Sequence, residues 1–309
     1  MIGTLLKDLM RALRQYVGFH ARRVFVRGPR EGRIGGAAPI FEPRHRFDWL
    51  ILSQENAQIC TGGPSPTILN LLVHEPKFIL DVGCSSGDFA AGIKQKFPHA
   101  QVWGIEPNKD GAAIAASRID RVLCSTVEAI DWKKEGVRRG DIDTVLLFDV
   151  LEHIYDPWQT LLTLRNLVSD KAQLLVSIPN VRNAFLIQDL ISGYWRYRLS
   201  GLLDITHIRF FAKNDLYRMF YQTGFRVVGT GSTRCQASAE MFDRHRGGEF
   251  PQTIELQSAS IKVHSLEDLA NLCTLQHTFA LQPADYDHLT PAERQWIDAP
   301  HPATTAFPA

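Results

Sequence analysis

The sequence predicts an α/β protein built on a parallel sheet with helices on both faces, and three observations predict it. From residue 78 to about 229, short apolar, β-branched runs alternate with helical stretches. A loop bearing two glycines, Gly83 and Gly87, follows directly on the first strong run. An acid, Glu106, closes the second run 19 residues after Gly87. In open α/β sheets, ligands bind beyond the carboxyl ends of the strands, where both features lie.

Each element has its own signal. Strands are expected at Phe78–Val82, Gln101–Ile105, Arg121–Cys124, Thr144–Phe148, Gln173–Ile178 and Arg226–Val228, with Thr278–Leu281 returning as a last strand. Helices are expected at Ser65–Val73, opened by Pro66, and at Gly87–Lys96, Lys109–Ser117, Pro157–Leu167, Lys213–Thr223 and Ser265–Leu275. Residues 230–262 are polar and glycine-rich and specify no element. Ahead of the sheet, Ile2, Leu5, Leu6, Leu9, Leu13, Tyr16, Val17 and Val24 recur at helical spacing among basic residues. Such a helix packs on its own domain, on a second subunit, or on an anionic membrane surface. The expected organisation is an N-terminal helix and linker over 1–63, a sheet-bearing domain over 64–283 with an insert at 181–212 and an irregular segment at 230–262, and a mobile tail over 284–309.

Composition narrows the class. The chain has 309 residues, 45% hydrophobic and 22% charged, as in a soluble globular protein with a sizeable core. A net charge of +1 exerts no global pull toward nucleic acid or membrane. Residues 1–33 nevertheless hold eight Lys and Arg against two acids. The five cysteines are scattered, with no C-x-x-C, so neither a disulfide framework nor a metal site is suggested. No apolar run reaches 18 residues and no secretory leader is recognisable, so a cytoplasmic location is expected, with peripheral membrane contact through residues 2–24 as an option.

The segment LDVGCSSGDF (80–89) admits two chemistries. Gly83-Cys84-Ser85-Ser86-Gly87 spells G-x-S-x-G, the turn that exposes a nucleophilic serine, and Asp204 and His207 would complete the order Ser, Asp, His. Against a serine hydrolase, no strand–loop unit precedes this turn to build an oxyanion hole. The second chemistry is nucleoside binding, with Glu106 accepting both hydroxyl protons of a ribose. The third glycine of a dinucleotide loop is missing, and Asp81 would repel a pyrophosphate. An acid there suits a ligand with a cationic sulfur and an ammonium, as in S-adenosyl-L-methionine.

With these residues in view, the chain resembles the class I S-adenosylmethionine-dependent methyltransferases. The resemblance covers roughly residues 64–230 and rests on ILDVGCSSG (79–87), VWGIEPN (102–108), LLFDVLEHIYDP (146–157) and LLVSIPN (174–180). It implies a Rossmann-like, doubly wound, mostly parallel seven-stranded sheet in the order 3-2-1-4-5-7-6, its last strand antiparallel. It further implies cofactor contacts from Asp81, Gly83, Cys84, Ser85, Gly87, Glu106 and Pro107. Asp149, Val150, Leu151 and His153 would lie beside the methionine part. Ser125-Thr126-Val127 stands where the family often has an adenine-binding acid, so Thr126 and Val127 are the adenine candidates.

The acceptor is read from the segments after the fourth and fifth strands. The N/D-P-P-Y/F turn of enzymes that methylate base or amide nitrogens is missing, which counts against a nucleic-acid substrate. The stretch SGYWRYRLSGLLDITHIRFF (192–211) resembles a substrate cover in bacterial methyltransferases of small molecules and glycans. Tyr194, Trp195 and Tyr197 are candidates to stack on a sugar, Arg209 to hold an anion, and Asn180 to line the site. His207 is the first candidate general base and His153 the second. The expected function is O-methylation of a small-molecule or glycan-type acceptor. A silent cofactor-binding module, acting as a partner or scaffold, is the alternative.

Overall fold

The computed structural model describes residues 66–298, apart from 199, 286 and 288. The basic segment 2–24, the linker 28–46 and the last eleven residues lie outside the described residues. After a short helix α1 (Pro66–Leu69), the chain runs β1 (Phe78–Val82), α2 (Asp88–Lys96), β2 (Gln101–Ile105), α3 (Lys109–Ala115), β3 (Arg121–Leu123) and β4 (Ile142–Phe148). It continues with α4 (Pro157–Leu167), β5 (Val168–Pro179), α5 (Ala184–Ile191), α6 (Lys213–Gln222) and β6 (Phe225–Thr233). Then come α7 (Gln236–His245), β7 (Gln252–Glu255), β8 (Ser260–Val263), α8 (Leu266–Leu272), β9 (Gln276–Pro283) and α9 (Pro291–Asp298).

Seven strands form one sheet in the order β3-β2-β1-β4-β5-β9-β6. The pairs from β3 to β5 are parallel, and β9 runs antiparallel between β5 and β6. Because β7 and β8 form a separate hairpin, β9 is the seventh strand of the main sheet, as expected. This is the Rossmann-like methyltransferase sheet.

Both faces are buried because side chains alternate across the pleat. Leu80, Val82, Val145, Leu147, Leu174 and Val176 meet α4 and α6 in the larger core, through Leu161, Leu164, Met219 and Phe220. Ile79, Leu146 and Leu175 face the other way, toward Ala90 and Ile93 of α2 and Ala115 of α3. Each such side chain, fully buried, contributes roughly 1.5–3 kcal/mol. The helices begin where their caps dictate: Asp156 Oδ1 accepts Gln159 N–H at 3.1 Å, with Pro157 in the first turn of α4.

Residues 230–262, which specify no element in the sequence, contain the end of β6, α7 and the β7–β8 hairpin. They enclose a third cluster with Ile254, Val263, Leu269, Leu272 and Ala184 of the insert, so this region caps the insert. Residues 284–309, expected as a mobile tail, include α9, where Tyr221 Oη donates to Glu293 Oε1 at 3.0 Å and Leu289 is buried against Tyr221. No described helix is long and apolar enough to cross a membrane.

Candidate active site

The loop after β1 enters left-handed backbone three times, with Ser85 at φ +49° between two glycines. Gly83 has φ +71° and Gly87 φ +74°, a region that costs an L side chain roughly 1–2 kcal/mol. A methyl at Gly83 would come within 2.8 Å of Val150 Cγ2, and one at Gly87 within 3.0 Å of Ala115 Cα. The first glycine thus admits the β4 loop and the second admits α3. Gly83 and Cys84 N–H groups donate to Ile105 O at 2.8 and 3.0 Å. Arg118 ties the outer side, its Nη1 donating to Ser86 O at 2.7 Å and Asp88 Oδ1 at 2.6 Å.

Two acids stand at the strand ends. Asp81 is 4% exposed. Burial, then the Glu106 charge, pushes its pKa up to about 8. Glu106 accepts Ser85 N–H and Asn108 N–H, each at 2.8 Å. Burial raises its pKa, and those two bonds oppose the rise. A carboxylate oxygen has two lone pairs, so Glu106 keeps acceptor capacity beyond its backbone bonds. Asn108 also caps α3 by accepting Asp110 and Gly111 N–H, both at 3.0 Å. Asn108 is a site residue that sequence reading missed, although an Asn before a helical run is itself a start signal.

The loop after β4 builds the other half. Asp149 takes φ +55°, and its Oδ1 accepts Ser177 Oγ–H at 2.9 Å and the Gln276 amide. Glu152 follows, 1% exposed, with neither carboxylate oxygen hydrogen-bonded. Burial, then the Asp149 charge, raises its pKa well above the ordinary value. His153 Nδ1 lies 3.1 Å from Thr206 O, and His207 Nδ1 lies 3.1 Å from Leu202 O. A carbonyl only accepts, so each Nδ1 carries its proton and each Nε2 keeps the lone pair. The two rings meet edge to face with centroids 4.7 Å apart, and His207 Nε2 lies 3.9 Å from Glu152 Oε1. Burial is the main cause lowering both histidine pKa values. For His153 the neighbouring His207 adds to the shift.

The remaining sequence candidates divide. Cys84, Val127 and Leu151 are buried in the cores, so they offer a ligand their main chain only. Pro107 O accepts Cys124 Sγ–H at 3.9 Å, and exposed Thr126 opens a short 3-10 turn at Val127–Ala129. Tyr194, Trp195 and Tyr197 are all exposed on the insert. The Arg196 guanidinium lies 3.7 Å from the Tyr194 ring centre, and Trp195 meets Phe210 edge-on.

Two substrate candidates are engaged within the fold. Asn180 is fully buried, and its amide donates to Asn271 O at 2.8 Å and Thr274 O at 2.9 Å. It clamps the end of β5 to the turn before β9 instead of lining an acceptor site. Arg209 directs Nε and Nη2 to Tyr155 O, 3.0 Å from Nε, and lies over the Tyr155 ring. These bonds use Nε and Nη2, and a guanidinium has five N–H donors in all. The hydrolase relay does not assemble either, because His207 Nδ1 faces Leu202 O and Asp204 Oδ1 accepts from Thr206.

A family model described as "Methyltransferase domain" matches residues 64–230, just over half of the chain. The chain belongs to this methyltransferase family. No curated protein matches it. Solved structures similar to the methyltransferase include a SAM-dependent methyltransferase, possible histamine N-methyltransferase, from Thermotoga maritima, with 15% identity over 71% of this chain and 86% of that one and a TM-score of 0.44. A SAM-dependent methyltransferase from Archaeoglobus fulgidus has 16% identity over 67% and 86%, with a TM-score of 0.46. The plantazolicin methyltransferase BpumL, in complex with SAH, has 14% identity over 71% and 80%, with a TM-score of 0.44.

The donor of the methyltransferase is S-adenosyl-L-methionine, and its residues fit that group. Asp81 and Glu106 put two buried acids at the strand ends, and a cation arriving there would favour their charged forms. Residues 81–87 contain no Lys or Arg.

Proposed function

We propose that the methyltransferase methylates a hydroxyl of a small-molecule or glycan-type acceptor. Asp81, Glu106 and the Gly83–Gly87 main chain would hold the cofactor. The Glu152–His153–His207 cluster would remove the acceptor's proton. When bound, S-adenosyl-L-methionine supplies an electrophilic methyl, whose carbon–sulfur bond breaks, leaving the pair on sulfur, as the carbon–oxygen bond forms.

The observation that carries this reading is the pair of imidazole Nε2 lone pairs, one on His153, three residues after Val150, which abuts Gly83, and one on His207 at the end of the insert. In this reading His153 Nε2 takes the hydroxyl proton. This reverses the order read from sequence. His207 is only 7% exposed and faces Glu152, whereas His153 is the exposed member. A base must reach its proton at hydrogen-bond distance. Exposed Tyr194, Trp195 and Tyr197 offer flat faces of the kind that stack on sugar rings.

The test is transfer of an isotopically labelled methyl group to a panel of sugars, phenols and amines, with products located by mass spectrometry. Methyl on a hydroxyl of a sugar or phenol is the expected result. Methyl on amines alone overturns the O-methylation reading, and tight cofactor binding without transfer to any acceptor favours the silent module.

A further inference from the structure

Glu152, His153 and His207 converge from two segments 54 residues apart, the β4 exit and the end of the insert. One ligand atom of each lies within 4.8 Å of the other two. The Glu152 carboxyl is buried, and among the described residues neither oxygen has a hydrogen-bond partner, a costly arrangement for a polar group and more so for a charge. Both histidines donate Nδ1–H to main-chain carbonyls. Such bonds fix the tautomer and aim the ring of a metal-bound histidine. Asp149 and Asp204 add negative potential at Glu152.

We propose that Glu152, His153 and His207 bind a divalent transition-metal ion, Zn2+ foremost, which holds the acceptor's hydroxyl oxygen at its open position. Two imidazole nitrogens and one carboxylate form a borderline donor set of the kind that suits zinc, and three protein ligands leave a fourth position open. Ligand atoms at about 2.0–2.1 Å from zinc stand roughly 3.3 Å apart in a tetrahedral site. The 3.9 Å between His207 Nε2 and Glu152 Oε1 therefore closes with a small side-chain adjustment. His153 is the exposed member of the three. With the ion bound, both histidines are ligands. The hydroxyl proton is released to water as the ion stabilises the alkoxide, and the oxygen–carbon bond forms as the carbon–sulfur bond breaks. The role of the ion rests on the O-methylation reading, whereas its binding does not.

The experiment uses the full chain, stripped with a chelator, reloaded with Zn2+ or Co2+ and gel-filtered. Metal per chain is read by atomic emission, cobalt geometry by visible d–d absorption, and cofactor affinity by calorimetry on the same samples. One ion per chain and a low-symmetry cobalt spectrum are expected. His153→Ala, which alters an exposed side chain, and Glu152→Gln should each weaken metal binding at least ~10-fold with cofactor affinity preserved. A wild-type chain that retains no ion, or equal retention by both variants, overturns the proposal. Metal retained by a chain that gives no cofactor heat supports the metal site and sinks the methyl-transfer reading alone.

Discussion

The loop after β1 and the loop after β4 are neighbours at the same edge of the sheet, yet they are finished differently. In the first, Glu106 has each carboxylate oxygen bonded to a main-chain N–H, and Arg118 and Ile105 hold the loop from either side. In the second, Glu152 is more deeply buried and neither of its oxygens has a hydrogen-bond partner. A grip for a nucleoside can be complete in the folded chain, since main-chain donors orient the acid and leave lone pairs for the ligand. A buried carboxyl with no donor is stable only when protonated or beside a cation. The first loop is therefore a preorganised binding element. The second is a reactive one, tuned by what approaches it.

Four measurements break or sharpen that contrast. His153→Ala should lower turnover by roughly 10²–10⁴-fold and leave cofactor affinity within about twofold, as independent sites do. A collapse of both would make the two loops one unit. In the proposed cofactor grip, Glu106→Ala would remove two charge-assisted bonds to a diol, each worth about 1.5 kcal/mol or more. Cofactor affinity by calorimetry should fall ~100-fold. Gly87→Ala forces a methyl into left-handed backbone 3.0 Å from Ala115 Cα. Denaturant titration should show a loss of about 1–3 kcal/mol, with weaker cofactor binding alongside.

Asp81→Asn probes a pH slope. The folded protein holds the Asp81 proton up to about pH 8, while the unfolded chain releases it near the ordinary carboxylate value. Between those limits the folded state binds more protons, so stability falls as pH rises. Thermal melts of the cofactor-free wild type should drop from about pH 5 to 8, and the Asn variant should flatten that slope. An unchanged slope would place the titration elsewhere.

The contrast also explains what could be read in advance. β1, β2 and α4 have the boundaries expected because apolar runs, turn residues and the Asp156-Pro157 start coincide there. β6 was legible only at Arg226–Val228 but extends to Thr233. Its last residues, Gly229-Thr230-Gly231-Ser232-Thr233, have no apolar pattern and become strand because β9 pairs with them. The β7–β8 hairpin was invisible because its few apolar residues, such as Ile254 and Val263, find their partners on α7, α8 and the insert. Asn180 was misread because a polar residue after a strand looks like a ligand, and only its contacts with Asn271 and Thr274 reveal a clamp.

By itself, the sequence determined the methyltransferase sheet, the glycine bends and the acid at the end of β2, because these depend on residue type and short spacing. Only the tertiary structure decided that Glu152 meets His153 and His207, that His207 is buried while His153 is exposed, and that Arg209 is engaged by Tyr155. Local patterns fix which backbone turns are allowed. The polarity around a titrating side chain is set by chain segments distant in sequence, and packing alone brings them together.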